Sequence, residues 1–132
     1  MDAAGSAVLK SGPFRGRWAE DVAARYLEEL GWQVVARNVR LAGGEIDLVA
    51  HDGEVQVFVE VKARQADGTD ALASVSLDKM RRLGRAAASW VLRKGQPRRG
   101  CRFDVVAVEG RGTRASIRHI RNAFETPNRW GV

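Results

Sequence analysis

The run Val55-Gln56-Val57-Phe58-Val59-Glu60-Val61-Lys62-Ala63-Arg64 constrains the fold more than any other stretch of this chain. Valine recurs at every second position, which predicts a strand with Val57, Val59 and Val61 on one side and Phe58, Glu60 and Lys62 on the other. A strand this rich in valine needs its apolar side covered. The opposite side pairs Phe58 with two charges, so it is expected to be a partly covered surface rather than a fully solvated one. Just upstream, GEIDLVA alternates Ile46, Leu48 and Ala50 against Glu45, Asp47 and Val49. His51-Asp52-Gly53-Glu54 reads as the loop that joins these two strands into a hairpin.

The remaining elements fall around this hairpin. From Arg17 to Leu30 the apolar positions Trp18, Ala19, Val22, Ala23, Tyr26, Leu27 and Leu30 recur three and four apart, which predicts a helix. Gly31 is placed to end it in the left-handed conformation, with Trp32 supplying the apolar contact that accompanies such a cap. WQVVARNV predicts a further strand, followed by the turn-prone pair Gly43-Gly44. A second helix is expected from about Ser76 to Lys94, with Met80, Leu83, Ala87, Trp90 and Val91 as its buried stripe. Arg102 to Val108 and Ala115 to Ile120 read as two last strands. The order α-β-β-β-α-β-β implies an α/β fold, a mixed β-sheet flanked by α-helices. One core suits 132 residues. The expected organisation is a flexible tail over residues 1–13, a single domain over 14–125 and a second tail over 126–132. The connection from Arg64 to Val75 is the longest without a period.

The formal net charge is +6, and of the 22 basic residues only Lys10, Lys62, Lys79 and Lys94 are lysine. Arginine's forked donor suits phosphate, which points to a polyanionic partner, although a G+C-rich genome would produce the same enrichment. The lone Cys101 allows no internal disulfide, and His51 and His119 lack the spacing of a structural zinc site. No apolar run is long enough to cross a bilayer and the first residues lack the layout of a secretion signal, so a cytoplasmic protein with no membrane partner is expected.

Asp47 precedes Glu60-Val61-Lys62 by twelve intervening residues. If the two strands pair as a hairpin, Asp47 can face the side that carries Glu60 and Lys62, and two carboxylates then converge with an ammonium. Such oxygen donors suit Mg or Mn, and the Val61 carbonyl could add a further ligand. The metal would polarise a phosphoryl oxygen and activate water, while Lys62 would orient that water or offset the developing charge. Taken alone, Glu-Val-Lys favours an ordinary ion pair on a half-solvated strand. Lys79, Arg81, Arg82 and Arg85, in the first turns of the second helix, are candidates for nucleic-acid phosphates. A charged helix face is also an ordinary solvated surface.

Asp47 with Glu60-Val61-Lys62 resembles the core of the PD-(D/E)XK superfamily of restriction-endonuclease-like folds. The wider frame is Gly16-Arg17-Trp18-Ala19-Glu20, Gly31, Arg37-Asn38, Gly44-Glu45-Ile46-Asp47-Leu48, Phe58-Val59-Glu60-Val61-Lys62 and Arg102-Phe103-Asp104-Val105-Val106. In this order it resembles the YraN-like family of small bacterial proteins, over about residues 14 to 120. The layout is also similar to that of archaeal Holliday-junction resolvases. The resemblance implies a metal-dependent endonuclease acting on DNA rather than RNA, on branched or structured duplex, with catalytic Asp47, Glu60 and Lys62. It implies a metal shell of Glu20, Asp47, Glu60 and Val61. Glu20 sits at the margin of the apolar helix face, where it could instead be an acid favoured by the helix dipole. Those resolvases work as homodimers, and no residue here marks a dimer surface. Ile46 stands where the motif has proline. A nucleic-acid-binding module that keeps this fold without its own turnover is the alternative expectation.

Overall fold

The computed structural model describes residues 12–64, 75–95, 97–111 and 114–125. Residues 1–11, 65–74 and 126–132, which hold most of the expected tails and the longest connection, lie outside these.

Helix α1, Gly12–Glu29, begins earlier than its apolar period suggested. Pro13 falls in its first turn, where the missing N–H costs no hydrogen bond. At its end the Trp32 N–H donates to the Leu27 carbonyl and the Gly31 N–H to that of Glu28, at 3.1 and 3.0 Å. With Gly31 at φ 92° these two bonds form a Schellman cap, and buried Trp32 joins Leu27 in the core beneath it.

Five strands follow: β1, Gln33–Leu41; β2, Gly44–Asp52; β3, Val55–Arg64; β4, Cys101–Arg111; and β5, Arg114–Ile120. They lie side by side in sequence order. The crossover between β3 and β4 contains helix α2, Leu77–Lys94, and makes that pair parallel, with Glu60 opposite Val105. The other neighbours are antiparallel, so the sheet is mixed as expected. Ser76 caps α2 by accepting from the Lys79 N–H at 3.1 Å. Strand alternation sends Val57, Val59, Val106 and Val108 toward α1, and Phe58 and Phe103 toward Leu83, Ala86 and Ala87 of α2. The two helices thus cover opposite faces of the sheet. No helix among the described residues is long and apolar enough to cross a membrane.

Two local departures shape the site. The β1–β2 turn is formed by Ala42 and Gly43, at φ 52° and 78°, rather than by Gly43-Gly44. Gly44 instead starts β2 directly beneath α2, where a Cβ would lie 2.1 Å from the Arg82 carbonyl oxygen. Only glycine lets the helix come this close. The second departure is Ile46, which joins Val49 and Phe58 under α2 instead of facing α1 with Leu48 and Ala50. Pairing between β2 and β3 stops at Leu48–Val59, and Asn38, across from Asp47 on β1, has φ 53°. Regular alternation fails where the ladder ends.

Candidate functional site

The gap left by that unfinished ladder is where the candidate residues gather. Asp47 Oδ2 accepts the Val61 N–H at 2.8 Å, so a side chain stands where a strand carbonyl would otherwise pair. In a strand the N–H and C=O of one residue point to the same edge, which turns the Val61 carbonyl toward this gap as well. Glu60 projects from β3 on the α2 side and is only 3% exposed. Asp47 and Glu60 line one cleft of about 520 Å³, bounded by the β1–β2 turn and the start of α2.

Two ammonium groups answer Glu60. Lys79 Nζ lies 2.6 Å from Glu60 Oε2 and Lys62 Nζ lies 3.4 Å from the same oxygen. Burial pushes Asp47 upward, the nearby Glu60 charge adds to that, and together they raise its pKa to about 8. The Val61 N–H offsets only part of this rise. For Lys62 burial dominates and lowers its pKa despite Glu60, with Lys79 lowering it further. For Lys79 burial acts in the same direction but its close contact with Glu60 outweighs it, and the pKa is raised. The opposite shifts follow from the distances: the shorter ion pair holds its proton harder.

Asp47, Glu60 and Lys62 are thus brought together. Glu20 stands near them on α1: burial raises its pKa against a hydrogen bond from Asn38, and its charge contributes to the rise of Asp47. No three His, Cys, Asp or Glu side chains form a metal cage among the described residues, so Glu20 does not share one ligand group with the other two. Two carboxylates and a carbonyl at the gap nevertheless fit a hard divalent cation, which needs few protein ligands and keeps its waters. Of the proposed phosphate contacts, Lys79 lies inside the site. Arg82 lines the cleft and pairs with Asp78 at 3.6 Å, Arg85 donates to the Ala42 carbonyl at 3.4 Å, and Arg81 is exposed.

The model of the uncharacterised protein family UPF0102 matches residues 19–108. The chain belongs to this family. The UPF0102 protein of Geobacter sulfurreducens is 45% identical over 108 residues, covering 80% of this chain and 84% of that one. The UPF0102 protein of Symbiobacterium thermophilum is 48% identical over 112 residues, covering 83% and 94%. That of Rhodococcus jostii is 44% identical over 111 residues, also covering 83% and 94%. The UPF0102 match takes in Glu20, Asp47, Glu60, Lys62 and the first turns of α2.

The match also takes in Tyr26, Arg102 and Asp104 of a second polar cluster, on the α1 face of the sheet, whose other members His119 and Asn122 lie beyond it. Asp104 is fully buried there and accepts from His119 at 2.7 Å, the Asn122 N–H at 2.9 Å and Arg102 at 3.1 Å, while Tyr26 Oη meets His119 Nδ1 at 2.9 Å. Burial raises the Asp104 pKa, but these donors together outweigh it and hold the carboxyl below its ordinary value. Alternation along Arg102-Phe103-Asp104 carried a signal: it put both charges on the face of Val106 and Val108, away from Glu60.

Proposed function

We propose that this protein is a metal-dependent phosphodiesterase of the PD-(D/E)XK type that cleaves nucleic acid, DNA in preference to RNA. The observation that carries this reading is the convergence of Asp47 and Glu60 on one cleft with Lys62 beside them. Burial and the charge of Glu60 disfavour ionisation of Asp47, and a bound divalent cation is the simplest partner that offsets this. When bound, Mg or Mn supplies positive charge against a phosphoryl oxygen and makes water a better nucleophile near neutral pH.

The chain's own groups do the rest. Asp47 and Glu60 would hold the cation as oxygen donors, and the Val61 carbonyl would extend the donor set along the same strand. Lys62 reaches the reacting centre from two residues along β3, where its ammonium orients the attacking water and offsets charge developing on the phosphate. Arg82 at the cleft wall positions the neighbouring phosphate. The reading places the protein in the cytoplasm, with branched or structured DNA as the substrate to test first.

A second reading is favoured by one contact. Lys79 already neutralises Glu60 at 2.6 Å, an arrangement that suits a binding module without turnover. The two readings separate on labelled linear, flapped and four-way-junction DNA, with a structured RNA alongside, in Mg and then Mn. A nuclease cuts, and Asp47→Ala and Lys62→Ala abolish cutting in folded protein. Salt-dependent binding without cutting, unaffected by Asp47→Ala, selects the module. Cutting that survives both substitutions removes the site assignment.

A further inference from the structure

We infer that Lys79 is the resident counter-ion of the Asp47–Glu60 pair, and that a divalent cation enters by displacing the Lys79 ammonium from Glu60. The inference rests on reading those carboxylates as metal-binding. It adds a residue that must move.

The geometry leaves little room for both cations. Glu60 Oε2 already takes Lys79 at 2.6 Å and Lys62 at 3.4 Å. A metal at its usual oxygen distance of about 2.1 Å from that oxygen would stand within about 5 Å of the Lys79 nitrogen. Two ammonium groups and a dication would then share one buried carboxylate, and repulsion among them favours the departure of one ammonium. Lys62 is the poorer candidate to leave, since it belongs to β3, is paired across from Ala107 on β4 and is only 20% exposed. Lys79 is 37% exposed, lines the cleft and comes from the first turn of α2. Its side chain therefore has solvent to move into. Its backbone is fixed throughout, because Ser76 Oγ holds the Lys79 N–H at 3.1 Å. Displacement is thus a rotamer change on a stationary helix end.

A lysine that only tethers α2 to the sheet predicts something different, and two measurements on the full chain separate the cases. The first is calorimetric titration with Mn alone of the unsubstituted protein, Lys79→Met, Lys79→Gln and Asp47→Ala, each checked for folding by circular dichroism. Removing the competing ammonium should tighten Mn binding by about tenfold or more in both Lys79 variants, while Asp47→Ala abolishes it. The second uses unsubstituted protein: acetylation followed by mass spectrometry, with exposed Lys94 as internal reference. Saturating Mn should speed the labelling of Lys79 relative to Lys94. Asp47-dependent Mn binding that is no tighter in either variant, with Lys79 labelling unchanged at saturation, overturns this inference and leaves the metal reading standing. Absence of Mn binding from every form overturns both.

Discussion

Asp47→Asn should make the metal-free protein more stable near neutral pH while removing its function. The folded state holds the Asp47 carboxyl at about 8 against an ordinary value of 3.8, because burial and the Glu60 charge disfavour ionisation. A raised folded-state pKa contributes stability that is complete below about pH 4 and is lost as pH rises toward 8. At pH 7 the unfolded chain gains from ionising Asp47 while the folded one does not. At about 1.4 kcal/mol for each of roughly three pH units, that difference reaches about 4 kcal/mol. Asparagine never ionises, and its carbonyl accepts the Val61 N–H as well as the neutral carboxyl does, with about 1 kcal/mol set against it for the extra amide hydrogen at a half-buried site. The net expectation is a gain of about 2 to 4 kcal/mol at pH 7 to 8. Urea unfolding of both proteins in chelator, from pH 4 to 8.5, reads the difference directly. The gap should open steadily with pH and level off above 8. A gap that stays constant across this range, or an Asn variant less stable at pH 8, would refute the account of Asp47 as a buried carboxyl held protonated.

Three further outcomes test other parts of the structure. Gly44→Ala should cost about 1 to 3 kcal/mol in urea unfolding, because the new Cβ meets the Arg82 carbonyl and must push α2 away from β2; an unchanged midpoint would mean the helix does not sit where described. His119→Ala should cost about 2 to 4 kcal/mol by taking a hydrogen bond from buried Asp104, yet leave Mn affinity unchanged, because that cluster faces α1; a loss of metal binding would show the two faces to be coupled. Glu20→Gln keeps a partner for Asn38 and should weaken Mn binding by about tenfold or more if Glu20 completes the metal shell; unchanged affinity by calorimetry removes it from the ligand set.

Much of the fold was legible because its signals are local. The period of two in β3, the three-and-four spacing of α1 and α2, the Gly31–Trp32 cap and Ser76 at a helix start each depend on residues close in sequence. The element order followed, and with it the convergence of Glu60 and Lys62. What misled is equally specific. Alternation predicted Ile46 beside Leu48, but alternation holds only while a strand keeps its ladder, and β2 leaves β3 at Leu48–Val59. Gly44 looked like half of a turn, because a sequence cannot show that a helix carbonyl from Arg82 will press on it.

Lys79 is the instructive case. In the sequence it is one of several cations at the start of a helix, where the dipole of the first turn gives no reason to distinguish it from Arg81, Arg82 or Arg85. Only the packing of α2 against the sheet selects it, and that packing depends on Leu83 and Ala86 of the helix seating over Gly44 and Phe58. The same contacts that bury Phe58 therefore determine which cation reaches Glu60. A site that looks like two carboxylates and a lysine in one dimension contains a second lysine in three. With Asp47 held protonated, Lys62 and Lys79 share the charge of Glu60 alone, and on the proposed reading a metal has to take the place of Lys79 there.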